Sequence, residues 1–137
     1  MNSAMQTITQ TTAAPATVKT VLVVDDFASV CFYHVNLLRQ TGYQCLEAHD
    51  GHEAFDKLRQ QRVDLILLDM IMPKMSGEEF IRRIRALHEY ANIPLLVITS
   101  EAVKDSIRRF AGDGPLGFAL KPVIPSTLLE AVRKLLG

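Results

Sequence analysis

The chain has 137 residues, 48% of them apolar, and its 15 Lys+Arg balance 15 Asp+Glu to a net charge of zero. That suits one soluble globular domain with a real core, and it provides no bulk attraction to nucleic acid or an anionic membrane. No apolar stretch approaches the roughly 20 residues needed to span a bilayer, and the N-terminus lacks the basic and apolar regions of a signal peptide, so the expected location is the cytoplasm.

Residues 1–17 are rich in Thr, Ala and Gln with no hydrophobic period, and read as a flexible tail ahead of a folded domain at 18–137. A first strand is predicted over 18–24, where Val21-Leu22-Val23-Val24 is continuous and largely β-branched and ends at Asp25-Asp26. A helix follows over 27–40, its inward face drawn through Val30, His34, Leu37 and Leu38, with His34 read as a hydrogen-bonded core residue rather than a ligand. Cys31 and Cys45 have no metal-type spacing and read as free thiols. A second strand spans 43–48, and Asp50 with Glu53 forms a capping signal for a helix ending near Gln61. His49, His52 and His88 read as polar surface residues.

The third strand is the unbroken run Leu65-Ile66-Leu67-Leu68, which delivers Asp69 to its end before a proline-bearing turn. Taken alone, Asp69 could simply cap that turn. Ser76 with Glu79 is a capping box for a helix with Phe80, Ile81, Ile84 and Leu87 on one face. A fourth strand over 93–98 tolerates Pro94 at its start and leads to Thr99 and Ser100. The helix over 101–110 has Val103, Ile107 and Phe110 as apolar positions, and the Gly112-Asp113-Gly114-Pro115 turn ends it. A short fifth strand over 117–120 stops at Lys121-Pro122, and the last helix over 126–136 turns Leu128, Leu129, Val132, Leu135 and Leu136 inward.

Five strands alternating with five helices through short connections imply an α/β domain, a parallel sheet covered on both faces by right-handed crossovers. Parallel strands carry their carboxyl ends to one edge, so Asp25, Asp26, Asp69, Thr99 and Lys121 converge. Carboxylates crowded there repel unless a cation sits among them, and oxygen-only ligands suit Mg²⁺ or Mn²⁺. Mg²⁺ with few carboxylates usually adds a phosphate ligand. The lysine supplies a fixed charge, the threonine a donor, and a carboxylate can be the nucleophile that accepts a phosphoryl group.

In this order and spacing, Asp25-Asp26, Asp69 with Met72-Pro73-Lys74-Met75-Ser76-Gly77, Thr99 and Lys121-Pro122 resemble the receiver domain of two-component response regulators, over about residues 20–137. The resemblance implies a flavodoxin-like (βα)5 sheet of strand order 2-1-3-4-5. It implies that Asp69 accepts a phosphoryl group from a phosphohistidine on a sensor histidine kinase or histidine phosphotransfer protein, with Thr99 and Lys121 holding the phosphoryl oxygens. Asp26, Asp69 and the Ile71 carbonyl would bind Mg²⁺ directly, and Asp25 mainly through water. Phe118 matches the family's aromatic switch position, whose ring turns inward when the threonine moves toward the phosphoryl group; a plain core aromatic is the alternative. Nothing follows the last helix, so the expectation is a stand-alone switch, not a turnover enzyme. Its target protein would dock on the fourth helix, fifth strand and fifth helix. The alternatives are a relay intermediate passing the phosphoryl group to a second histidine, and a small Mg²⁺-dependent phosphotransferase or phosphatase.

Overall fold

The computed structural model describes residues 18–70, 72 and 74–137; the tail expected over residues 1–17 lies outside the described residues. Five strands, β1 (Thr20–Val24), β2 (Gln44–Ala48), β3 (Leu65–Asp69), β4 (Leu95–Thr99) and β5 (Leu116–Leu120), alternate with helices α1 (Ala28–Gln40), α2 (Gly51–Gln60), α3 (Gly77–Ala86), α4 (Glu101–Phe110) and α5 (Pro125–Leu136). All strand pairs are parallel, in the order β2-β1-β3-β4-β5, which is the expected topology.

The central strands are continuous apolar runs because both faces of the sheet are covered. On one face Leu22, Val24, Ile66, Leu68, Leu95 and Val97 pack with Phe55 of α2, Phe80 and Ile84 of α3 and Ile107 of α4. On the other, Val21, Val23, Leu65, Leu67, Leu96 and Ile98 pack with Cys31, Val35 and Leu38 of α1 and Leu128 and Val132 of α5. The period-two alternation divides each strand between two cores, so a one-residue slip would exchange them. Each fully buried aliphatic side chain contributes roughly 1.5–3 kcal/mol through area removed from water.

The caps of α2 and α3 form as the sequence indicates. Asp50 accepts from the Glu53 N–H at 2.8 Å, and Ser76 accepts from the Glu79 N–H at 3.1 Å. The face of α1 differs from the expected one. Val30 is exposed and Leu37 only half-buried, while Cys31 and Val35 join His34 and Leu38 inside. Cys31, His34, Val35 and Leu38 follow the i, i+3, i+4, i+7 period of a single helix stripe, with Val30 and Leu37 on its flanks. His34 is buried as expected, but its Nδ1 has no hydrogen-bond partner among the described residues, and burial lowers its pKa, which favours the neutral ring. Val103 and Leu87 are also exposed, leaving Ile107 as the buried anchor of α4.

Candidate functional site

The carboxyl ends of β1, β3 and β4 meet at one edge because neighbouring strands are in near register. Val24 stands beside Leu68, Asp69 beside Ile98, and Thr99 beside Leu120. Asp25 and Asp26 therefore leave β1 next to Asp69, the last residue of β3, while Thr99 and Lys121 come one step further along the staircase. The Lys121 N–H donates to the Thr99 carbonyl at 2.9 Å and ties the two strand ends together.

A carboxylate oxygen from each of Asp25, Asp26 and Asp69 lies within 4.8 Å of the others. Asp25 is buried, and its Oδ1 accepts from the Phe27 N–H at 3.0 Å. Burial pushes its pKa up, and the charges of Asp69 and Asp26 push the same way; the Phe27 N–H and Lys121 oppose them without cancelling the rise. Asp26 is half-buried, with an Oδ1 that is shielded from solvent and has no hydrogen-bond partner among the described residues. Asp69 is 8% exposed, and the Lys121 ammonium lies 3.6 Å from its Oδ1. Thr99 is buried at the end of β4.

An Asp26 oxygen with no hydrogen-bond partner among the described residues, set among three converging carboxylates whose donors are all oxygen, fits a small hard cation. Ile71, whose carbonyl was an expected further ligand, lies outside the described residues, as does Pro73. Met70 and Gly77 lie close together after Asp69. The Gly77 N–H donates to the Met70 carbonyl at 3.1 Å, and a Cβ on Gly77 would lie 2.7 Å from the Met70 Cα. Backbone cannot yield to such a contact, so glycine is required where the turn meets α3. Lys74 reaches across to Asp50 at 3.7 Å.

Phe118, in the middle of β5, is half-buried and packs against the core on the α2, α3 and α4 side of the sheet. The Arg108 guanidinium carbon lies 5.1 Å and the Lys104 ammonium 5.9 Å from its ring centroid. A groove of about 390 Å³ begins at this ring and runs past Leu120, Lys121, Pro122 and Ile124. Neither α4 cation was singled out from the sequence; the signal available was their spacing of four, which puts both on one helix face. His49 was read as a surface residue. It is half-buried, and its Nδ1 lies 3.2 Å from the Asp25 carbonyl oxygen.

The family model of the response regulator receiver domain matches residues 21–133. The chain belongs to that family. It is 36% identical over 116 residues to the chemotaxis protein CheY-3 of Vibrio cholerae, covering 84% of this chain and 89% of that protein. It is 36% identical over 113 residues to the CAI-1 autoinducer sensor kinase/phosphatase CqsS of the same organism, covering 82% of this chain but only 16% of that larger protein. Among solved structures, the chemotaxis response regulator CheY4 of Vibrio cholerae superposes with a TM-score of 0.79 at 34% identity, over 87% of this chain and 99% of that one. The fold is thus the flavodoxin-like arrangement of CheY-like response regulators, and the chain is a two-component signalling receiver. No helix among the described residues is long and apolar enough to cross a membrane.

Proposed function

We propose that this receiver accepts a phosphoryl group on Asp69 from a phosphohistidine donor and uses it to switch the binding of a target protein. The observation that carries the reading is Asp69, ending a buried strand within 4.8 Å of two further carboxylates and beside the Lys121 ammonium. In the transfer, the P–N bond to the donor imidazole breaks as a P–O bond to an Asp69 oxygen forms. Lys121 balances charge on the phosphoryl oxygens and Thr99 donates its hydroxyl to one of them. Asp26, Asp69 and the Ile71 carbonyl would hold Mg²⁺, or Mn²⁺ in its place, with Asp25 acting mainly through water. Bound there, the cation neutralises charge that builds up on the phosphoryl oxygens.

The switch runs through Thr99 and Phe118, and the target docks on the face formed by α4, β5 and α5. The groove beginning at Phe118 supports that choice, with Leu120 and Ile124 exposed beside Lys104 and Lys121. Relatives named for chemotaxis support a protein target, and the zero net charge offers no field for nucleic acid. The reading takes residues 18–137 as the receiver, working in the cytoplasm as a switch rather than a turnover enzyme. Incubation with Mg²⁺ and a phosphorylated histidine kinase should add one acid-stable, base-labile phosphoryl group, absent from Asp69→Asn. In Thr99→Ala the label should still form while affinity for the target no longer rises on phosphorylation. Persistent labelling of Asp69→Asn would overturn the acceptor, and a normal rise in Thr99→Ala would overturn the switch.

A further inference from the structure

Phe118 has no polar atom, so no hydrogen bond can hold its ring in one conformer. Packing and the ring's own quadrupole are what remain. Lys104 and Arg108 stand four apart on α4, and both present their charge to this ring, at 5.9 and 5.1 Å. Both cations are tethered within the helix as well, Lys104 to Glu101 at 3.5 Å and Arg108 to Asp105 at 3.3 Å, so each has a partner to keep if the ring departs. The helix that carries them begins two residues after Thr99.

We infer that Lys104 and Arg108 form a cation–π latch that holds Phe118 in the half-buried conformer seen here and so sets the resting position of the switch. The inference rests on the reading of Phe118 as the switch residue, and it assigns the resting bias to two particular side chains. A shift of the β4–α4 corner with Thr99 carries both cations relative to the ring, so the latch loosens as the signal arrives. A cation over an aromatic face at an exposed site shifts a two-state ratio by roughly two- to fivefold, and loss of both cations by about tenfold. Arg82 over the Phe110 ring, at 5.2 Å, is the same contact away from the switch and provides an internal control.

Lys104 and the ring itself line the proposed docking groove, so target affinity would confound two effects, and the ring's conformer is the better readout. With 4-fluorophenylalanine placed at position 118, the ¹⁹F resonance should move when wild type is given Mg²⁺ and beryllofluoride, a mimic of the phosphoryl group. Without beryllofluoride, the Lys104→Gln/Arg108→Gln double variant should already have moved part of the way, with the ratio of conformers changed by about tenfold. Arg108→Lys should restore most of the resting position, and Arg82→Gln should leave it unchanged. A wild-type resonance that ignores beryllofluoride removes the switch reading and the latch together. A resonance that responds in wild type but is unmoved in the resting double variant overturns the latch alone.

Discussion

At the amino end of the sheet the half-buried Arg85 guanidinium donates to the carbonyls of Ala91, Ile93 and Pro115 at 2.7, 2.8 and 2.6 Å, and among the described residues its Nε has no hydrogen-bond partner. At the same end Asp64 accepts from the Thr20 N–H at 2.8 Å and from the Arg62 Nε–H at 3.2 Å. At the carboxyl end three carboxylates converge near Lys121, Asp26 Oδ1 has no hydrogen-bond partner among the described residues, and burial raises the pKa of Asp25. One end uses buried charge to fasten loops, because carbonyl dipoles answer a guanidinium without adding charge. The other keeps like charges together, which costs stability unless a cation or another positive group sits among them. The sheet thus separates a fastening end from a reactive end some five residues away along each strand.

The largest effect that sharpens this contrast is expected at the fastening end. Arg85→Ala leaves three carbonyls without their donor and should lower unfolding stability by about 3 kcal/mol, while labelling per folded molecule stays normal. Arg85→Lys should recover little of it, since one ammonium cannot match the planar fork. Gly114→Ala should act in the same direction, because its Cβ would lie 2.6 Å from the Ala91 carbonyl oxygen as well as against the guanidinium. Chemical denaturation of the three variants checks this; an Arg85→Ala protein as stable as wild type would erase the distinction between the two ends.

At the reactive end the sign reverses. Asp26→Asn removes one of the crowded charges and should raise stability without divalent cation by about 1 kcal/mol. The same variant should lose the rise in Tm that millimolar Mg²⁺ gives wild type by mass action. Thermal melts with and without Mg²⁺ decide it, and a variant that is less stable yet still responds to Mg²⁺ would make Asp26 a structural residue.

A smaller effect follows from Asp25. Its folded pKa is raised above the ordinary 3.8, so the folded state holds its proton more tightly than the unfolded chain does. The stability this contributes is fully present below 3.8 and is lost as pH rises through the folded value. Cation-free wild type should therefore lose stability relative to Asp25→Asn as pH climbs from acid toward neutral. A difference between the two Tm curves that is flat, or that grows in the opposite direction, would contradict the burial argument.

These two ends were unequally legible in the sequence. The reactive end was readable because strand ends are marked by abrupt changes from apolar to charged: Val24 to Asp25, Leu68 to Asp69, Leu120 to Lys121. Alternation of elements then put those ends on one edge, where the structure has them. Arg85 was not legible, since in sequence it is one of three arginines near the end of a helix, and its partners are backbone carbonyls that no residue type announces. The paired glycines at 112 and 114 were the available clue, read only as a helix stop. The face of α1 failed for a related reason: Cys31 was weighed as a thiol rather than as a small apolar side chain, which shifted the inferred stripe toward Val30. Phe118 was legible as a position, but its cations were not, because a cation–π contact depends on how α4 lies against β5.

On the proposed function Asp69, and neither of the carboxylates beside it, carries the phosphoryl group. Reduction of the phosphorylated protein with borohydride converts an aspartyl phosphate to homoserine, and peptide mass spectrometry then reads the modified position. Homoserine at position 69 alone is the expected result; homoserine at position 25 or 26, or an unmodified Asp69 in a protein that carries stoichiometric label, would contradict it.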